Sequence, residues 1–212
     1  MPTGRKAPDT ARRSQPTRQA ILTAALDLAA EVGYRRLSIE AIAARAGAGK
    51  QTIYRWWPSK GAVLFDALLA LSDGEEGDGE KGDAELPDTG DLAADLKLVL
   101  AATVDELNNP RFSEPMRALT VEILENAELA ATYRERLEQP MREMKKRRLR
   151  AAQDAGQLDP GVDLDVAVDL IWGPVQNRWL FREGPLTPAF TDELVDTALR
   201  GLAQASRRRT DT

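Results

Sequence analysis

Apolar residues recur at intervals of three and four along most of the chain, which is the spacing of one face of an α-helix. No segment shows a convincing alternation typical of a half-buried strand, and no internal repeat is visible. The pattern therefore predicts an all-α protein with about nine helices. We expect a three-helix head near the N-terminus and a larger helical body behind it.

The first helix should begin near Thr17 and end at Gly33, because glycine readily adopts the left-handed backbone that follows a helix. Residues 1–16 are polar and contain three prolines, so we expect a flexible basic arm there. The apolar stripe of the first helix comprises Ile21, Leu22, Ala25, Leu28, Ala29 and Val32.

Two short helices should follow, joined by a tight turn. Ser38 is a good N-cap for the second helix, and residues 47–49 form the turn. The third helix should run from about Lys50 to Trp56, and Pro58 should end it. Two short helices joined by a glycine-containing turn have the proportions of a helix-turn-helix, in which the later helix lies in the DNA major groove.

A fourth helix, capped by Ser59, should complete a head over residues 17–71. Residues 72–90 are rich in Gly, Asp and Glu with few apolar residues, which predicts an acidic disordered loop. Helical patterning then continues through a body over residues 91–206. A long helix in that body should kink or break at Pro140.

The chain contains neither cysteine nor histidine, and this excludes several kinds of chemistry. Disulfides, thiolate or imidazole metal sites and Cys–His or Ser–His–Asp catalysis are ruled out. We therefore expect no metal and no cofactor. An all-α enzyme that uses carboxylates such as Glu122 and Glu125 remains the alternative from another class of protein.

Neither a membrane span nor a secretory signal is visible. No apolar run approaches the roughly 20 residues that a transmembrane helix needs, and the basic N-terminal segment lacks an apolar core. With 42% hydrophobic and 30% charged residues, the composition is that of a soluble globular protein. We therefore expect a cytoplasmic protein.

Charge is distributed unevenly along the chain. Residues 1–60 contain 11 Lys and Arg against 4 Asp and Glu, whereas residues 61–212 contain 18 against 30. The head is thus basic and the body acidic, although the formal net charge is −5. This segregation favours contact between the head and a polyanion such as DNA.

The third helix combines a polar face with two apolar positions. Ile53 and Trp57 lie four residues apart and should pack inward. The residue types on the other face suit hydrogen bonds to base edges and phosphates. These candidate DNA-reading residues are Lys50, Gln51, Thr52, Tyr54, Arg55 and Trp56.

The stretch SIEAIAARAGAGKQTIYRWWPSKGAVLFDAL, Ser38 to Leu68, closely resembles the helix-turn-helix of TetR/AcrR-type transcriptional regulators. The core TIYRWWPSK, Thr52 to Lys60, carries this resemblance, which covers about residues 17–71. The body resembles one C-terminal branch of the family more weakly, mainly through Gly156 to Pro174. The resemblance implies a homodimeric repressor that releases a palindromic double-stranded DNA operator when a small hydrophobic effector binds. An activator or a ligand-independent regulator remains an alternative.

The resemblance also implies roles for individual residues. At the start of the third helix, Lys50, Gln51 and Thr52 match positions that reach bases or phosphates. Tyr54 matches an aromatic residue that meets the backbone or a thymine methyl group, and Arg55 matches a variable reading position. Trp56 also matches a reading position, but a smaller or basic residue is commoner there. Two further matches are phosphate contacts, namely Ser38 and Lys60.

Two basic segments outside the helix-turn-helix have alternative interpretations. Arg12, Arg13 and Arg18 could enter the minor groove or bind phosphates, or they could belong to a solubilising tail. The run Lys145–Arg150 could be a second nucleic-acid patch, but a solvated helix face is the favoured interpretation.

The body offers a candidate dimer interface and a candidate ligand pocket. Apolar residues of the last two helices would pair with a second copy, or else close the chain's own core. Mixed apolar and polar residues of the middle helices would line a small-molecule site, or else form ordinary core. The interface candidates are Leu170, Ile171, Val175, Trp179, Leu194, Val195, Ala198 and Leu202, and the pocket candidates are Met116, Thr120, Ile123, Tyr133, Leu137, Met141, Trp172 and Gln176.

Overall fold

The all-α prediction is confirmed in the computed structural model, which describes residues 10–72 and 85–210, with side chains for 15–71 and 85–203. No strand occurs in these two ranges. A 3₁₀ turn, Tyr34–Arg36, follows the first helix, and a π-helical segment, Arg134–Glu138, joins α7 to α8. The helices are α1 Thr10–Val32, α2 Ile39–Ala46, α3 Lys50–Trp56, α4 Lys60–Ser72, α5 Leu92–Asn108, α6 Pro110–Glu125, α7 Ala127–Tyr133, α8 Gln139–Asp154, α9 Leu164–Phe181 and α10 Pro188–Thr210.

The first helix begins at Thr10, seven residues before the expected start at Thr17. Pro16 lies inside it. A proline in a helix removes one backbone hydrogen bond and crowds the preceding turn, so its presence suggested a boundary. The helix nevertheless continues through it, and the expectation of a flexible arm is therefore wrong for the backbone of residues 10–16. Residues 1–9 lie outside the described part of the chain.

The chain divides into two compact units that differ from the expected boundaries. One unit contains α1 to α4 together with α6, and the other contains α5, α8, α9 and α10. The expected body over residues 91–206 is therefore not a single unit, because α6 packs against α1 and α4. The buried side of α6, which includes Phe112, Met116 and Leu119, explains this assignment.

The core of the first unit is built around α4, which is buried on nearly all sides. Its apolar residues Val63, Leu64 and Phe65 are each at most 1% exposed. A helix that is apolar around most of its circumference must be covered by several neighbours, and α1 and α6 both pack on α4. The other fully buried large side chains of this unit are Ile21, Leu22, Ile42, Ile53 and Leu119.

Helix ends follow the capping signals in the sequence. The Ser38 hydroxyl accepts a hydrogen bond from the Ala41 N–H at 3.2 Å, and the Asp91 carboxylate accepts from the Ala94 N–H at 3.0 Å. Each cap satisfies a backbone donor that has no partner within the helix. The expected cap of α2 is thus confirmed, and Asp91 caps α5 in the same way.

The long helix of the body is continuous through Pro140 rather than broken there. The Gln139 N–H donates to the carbonyl of Arg134, five residues earlier, instead of the usual four. This wider turn precedes the proline, whose ring would crowd the carbonyl four positions earlier in a regular helix. With the π segment joining α7 to α8, the described residues form nine continuous helices, which matches the expected number.

The second unit contains a buried ion pair. Arg148 on α8 donates to Asp95 on α5 at 2.7 Å, and the two residues are 4% and 3% exposed. The same guanidinium donates to the carbonyl of Pro87, while Thr89 donates to Asp95 through both its N–H and its hydroxyl. Two expectations are therefore corrected: Arg148 is not on a solvated face, and residues 87–89 of the predicted acidic loop are held in place.

The rest of that acidic loop cannot be compared with the prediction, because residues 73–84 lie outside the described ranges. Among the described residues, no helix is both long enough and apolar enough to cross a membrane.

Candidate nucleic-acid interface

The turn between α2 and α3 positions the candidate reading helix. Gly47 ends α2 in the left-handed conformation, with φ of 63°, and its N–H donates to the carbonyls of Ala43 and Ala44. This backbone conformation favours glycine because a side chain would be strained there. Ile53 and Trp57 then anchor the inward side of α3 in the core, since they are 0% and 3% exposed. The expected inward positions are confirmed.

The opposite face of α3 presents a group of polar side chains. Lys50, Gln51, Tyr54 and Arg55 are exposed, whereas Thr52 and Trp56 are partly buried. One short helix thus brings together six of the eight predicted DNA-binding residues. Their contacts with DNA remain a prediction.

Arg55 and Trp56 contact each other on this face. The Arg55 guanidinium lies 5.2 Å from the Trp56 ring centroid, and Trp56 meets the buried Trp57 edge to face at 5.5 Å. A cation over an indole face is held by the negative potential of the ring. Trp56 therefore orients the neighbouring arginine, which gives a structural reason for a large residue at a position where a smaller one is commoner.

Lys50 is paired with Glu40 of α2 at 2.8 Å, and both side chains are more than half exposed. The hydrogen bond and charge of each group favour ionisation of the other, which lowers the pKa of Glu40 and raises that of Lys50. Exposed pairs of this kind contribute little to stability. A DNA phosphate can therefore replace Glu40 as the partner of Lys50.

A buried carboxylate that the sequence analysis did not identify supports the end of α3. Asp66 on α4 accepts a hydrogen bond from the Trp57 indole N–H at 2.8 Å and forms an ion pair with Arg18 of α1, also at 2.8 Å. The Arg18 guanidinium also lies 5.6 Å from the Trp57 ring centroid. A single aspartate thus ties α1, α3 and α4 together. The signal was a charged residue within an otherwise apolar helix, VLFDALLAL.

This arrangement corrects the hypothesis that Arg18 inserts into the minor groove. Its guanidinium is engaged by Asp66 and Trp57, so it forms part of the support of the head. The side chains of Arg12 and Arg13, the other members of that hypothesis, lie outside the described residues.

Ser38 and Lys60, the two residues predicted to contact phosphates at helix ends, differ in the contacts that they already make within the chain. Ser38 uses its oxygen as the α2 cap and its hydroxyl hydrogen in a bond to the Glu40 carboxylate, so a phosphate contact would have to replace Glu40. Lys60 donates to the carbonyls of Tyr34 and Leu37, both at 3.0 Å, and its ammonium lies 4.4 Å from the Tyr34 ring centroid. Lys60 thus holds the connection between α1 and α2, and a phosphate contact would use the third ammonium hydrogen.

Most predicted interface residues are already buried within the chain. Of the eight candidates, only Leu170 is exposed, at 42%, and Leu194 is partly buried. The inward sides of α9 and α10 pack against each other and against α5. Most of the apolar residues that suggested dimerisation therefore lie in the chain's own core. Six of the candidates are buried in this way, and their part in an interface stays a prediction: Ile171, Val175, Trp179, Val195, Ala198 and Leu202.

The predicted pocket residues are distributed between the two units. Met116, Thr120 and Ile123 belong to the first unit and the other five to the second. The structure does not place these residues around one described cavity, so the pocket remains a prediction. Met116 and Trp172 are buried, Thr120, Ile123, Tyr133 and Leu137 are partly buried, and Met141 and Gln176 are exposed.

No group of three or more metal-ligating side chains occurs within the described ranges. The arrangement around α3 instead provides hydrogen-bond donors and positive charge on a rigidly supported helix. That chemistry suits a polyanion with readable base edges.

Both parts of the chain match known protein families. Residues 21–67 match a family described as "Bacterial regulatory proteins, tetR family". Residues 86–198 match one described as "Tetracyclin repressor-like, C-terminal domain". The first match contains the whole helix-turn-helix, and the second contains most of the remaining helices.

Curated relatives are similar over nearly their whole length. YdeS, an HTH-type transcriptional regulator of Bacillus subtilis, is 33% identical over 199 residues, which cover 92% of this chain and 93% of that protein. The DNA-binding transcriptional repressor TetR of Mycobacteroides abscessus is 31% identical and covers 92% of this chain and 98% of its own.

Solved structures of similar proteins have the same fold as this chain. The TetR family transcription regulator SCO0332 aligns with a TM-score of 0.68 at 34% identity, covering 87% of this chain and 97% of its own. Bacillus subtilis FadR in complex with stearoyl-CoA shares the fold with a TM-score of 0.61 at 19% identity, covering 86% and 97% of the two chains. The chain therefore belongs to the TetR family of DNA-binding transcriptional regulators.

Proposed function

We propose that the protein is a homodimeric repressor that binds a two-fold symmetric DNA operator and releases it when a small molecule binds to the body. The observation that carries this proposal is the polar face of α3, supported from below by Ile53 and Trp57. A helix presented in this way fits the major groove and reads base edges.

Dimerisation would use the exposed face of α9, which contains only Leu170 of the interface residues predicted on that helix. Val166, Leu170 and Phe181 are 59%, 42% and 65% exposed, and their spacing places them on one side of the helix. Gly173 lies on the same side, and a Cβ added there would meet nothing within 4 Å. An apolar stripe with a gap at a glycine allows close approach by a second helix. We propose that this stripe pairs with its copy across a two-fold axis.

The symmetry of the dimer determines the form of its DNA site. Two copies of α3 related by a two-fold axis would reach successive major grooves, about 34–36 Å apart. A palindromic operator mirrors that symmetry. The M. abscessus relative, described as a repressor, supports repression as the outcome of binding.

Release by a small molecule requires that the molecule bind more tightly to a conformation with low DNA affinity. FadR, which shares the fold, was crystallised with stearoyl-CoA, and this supports a ligand in the body as part of the proposal. A hydrophobic ligand would be expected among the pocket candidates of α8 and α9, within the second unit. No catalytic step is part of this proposal.

Selection from a random duplex library tests the operator proposal. The full-length protein should enrich a two-fold symmetric sequence and bind it as a dimer, with an affinity that falls steeply as salt rises. Failure of folded, dimeric protein to enrich any sequence would contradict the proposal.

The dimer proposal has its own test in sedimentation velocity. Leu170→Glu should shift the protein toward the monomer, because it places a charge in the middle of the stripe. Leu98→Glu is the matched control on an exposed apolar position of α5, and it should leave the dimer intact. Equal effects of the two substitutions would contradict the assignment to α9.

A further inference from the structure

A groove within the first unit lies apart from the face of α3. It has a volume of about 1040 Å³ and is bordered by the end of α1, the 3₁₀ turn, the start of α4 and the last two turns of α6. Small-molecule sites typically enclose roughly 300–1,000 Å³, so the groove is large enough for a ligand of substantial size. Its apolar surface is contributed by Val32, Ala118 and Val121.

The two walls of the groove carry opposite charges that do not meet each other. Arg35 and Arg36 lie on the 3₁₀ turn, and Glu122 and Glu125 lie on α6. Arg36 uses its Nε to donate to the carbonyl of Val32 at 3.0 Å, which leaves its terminal nitrogens for another partner. Within the described residues, no ion pair joins these arginines to these glutamates.

Other surface charges of the same unit are arranged differently. Arg45 forms a bidentate pair with Glu31, both bonds being 2.9 Å, and Arg111 pairs with Asp27. Charges of opposite sign that face each other across a groove and remain unpaired can instead bind the two ends of one ligand.

A buried hydroxyl lies at the base of the groove. Tyr34 is 9% exposed, and its hydroxyl lies close to the Glu122 carboxylate of the α6 wall. Burial, together with the nearby Glu122 carboxylate, raises the pKa of Tyr34, so the hydroxyl keeps its proton and can donate it. A Cβ added to Gly61 would come within 3.1 Å of this oxygen, which shows how closely α4 approaches it.

We propose that this groove binds a small zwitterion whose charged ends are separated by an apolar middle, the chemistry of a short apolar peptide. The ammonium end would lie between Glu122 and Glu125, and the carboxylate end would lie against Arg35 and Arg36. A single amino acid carries both charges on one carbon, whereas a peptide of two or three extended residues separates them by roughly 7–11 Å. The apolar side chains would rest on Val121 and its neighbours.

Calorimetric titration of the full-length protein with the tripeptide Leu-Ala-Leu tests the proposal. Saturable binding is expected, and either an N-acetylated or a C-amidated tripeptide should bind about tenfold or more weakly, because each lacks one charge-assisted contact. No DNA is present in this titration, so its failure would leave the operator proposal standing. Binding that is absent up to about 1 mM, or that is equal for free and capped peptides, would overturn the proposal.

Paired variants assign each end of the ligand to its wall. In Glu122→Gln/Glu125→Gln, binding should weaken and become insensitive to N-acetylation, while C-amidation should still weaken it. Arg35→Gln/Arg36→Gln should show the reverse pattern. Glu135→Gln/Arg150→Gln, at exposed positions of the other unit, is the matched control and should titrate like the unchanged protein. Loss of binding in this control, or the same peptide preferences in both groove variants, would overturn the assignment.

Discussion

Helices α3 and α8 both carry lysines and arginines, but they use them in opposite ways. On α3, Lys50 has only an exposed glutamate as its ion-pair partner within the described residues, and Arg55 stacks on a tryptophan. On α8, Arg148 is buried against Asp95, and Arg142 is paired with Asp165 and Asp169 of α9. Cations that the chain neutralises internally hold helices together. Cations that it leaves accessible remain available to a polyanion.

Arg148→Ala should produce the largest change in stability. It removes one partner of a buried pair and leaves Asp95 as an uncompensated buried charge, which costs about 3–5 kcal/mol of unfolding free energy. Urea unfolding would measure the loss. Arg142→Ala is the matched control on the same helix, and its loss should be much smaller because its partners are exposed. Equal losses would contradict the contrast between buried and exposed pairs.

The same pair should make stability depend on acidity. Burial alone would raise the pKa of Asp95, but hydrogen bonds from Arg148 and Thr89 outweigh burial and hold that pKa below its usual value. The stabilisation is therefore present above the unfolded-state pKa of about 3.9 and is lost as the pH falls from there through the lower folded-state value. Unfolding midpoints measured from pH 7 to pH 2 should fall less steeply in Asp95→Asn/Arg148→Met.

Asp66→Asn should weaken the support of α3 by an intermediate amount. An amide can satisfy Trp57 or Arg18 but loses the ionic bond to the guanidinium, so a loss of about 1–3 kcal/mol is expected. Thermal unfolding would measure it, with Asp169→Asn as the exposed control. A variant as stable as the unchanged protein would show that Asp66 does not hold the three helices together.

Lys50→Ala should weaken DNA binding without reducing stability. If Lys50 contacts a phosphate, affinity should fall similarly for all sequences, and the slope of log affinity against log salt should decrease in magnitude by about 1. Fluorescence anisotropy at several salt concentrations would measure both quantities. An unchanged slope would contradict a phosphate contact.

Glu40→Gln should have the smallest effect, and in the opposite direction. It frees Lys50 from its partner and removes a negative charge near the DNA, so affinity should rise by about threefold or less. The gain should disappear in the Lys50→Ala background. A gain of the same size in that background would mean that the glutamate acts without the lysine.

Local signals predicted the secondary structure well because capping and periodicity depend on neighbouring residues. Ser38 caps its helix as expected, and the bounds of α3 are confirmed. The prolines were poorer predictors of where helices begin and end. Pro16 and Pro140 both lie in helices, since a single lost hydrogen bond can be tolerated or absorbed by a wider turn.

Long-range partners could not be predicted, because they depend on which helix faces meet. Arg18 and Asp66 are 48 residues apart, and Arg148 and Asp95 are 53 apart. Periodicity likewise identified the apolar residues of α9 but not which side would be covered by the chain itself. Ile171 and Val175, which the sequence suggested for an interface, are buried within the chain, whereas Val166 and Phe181 are exposed.

The central claim is that the exposed face of α3 reads DNA sequence, and a base-substitution profile of the selected operator tests it most directly. Affinities of the unchanged protein and of Arg55→Ala would be measured for duplexes that each differ at one symmetric pair of positions. Loss of Arg55 should relax discrimination at one such pair by about 1–3 kcal/mol and leave the others unchanged. An Arg55→Ala profile that is uniformly weaker, or identical to that of the unchanged protein, would contradict base reading by this residue.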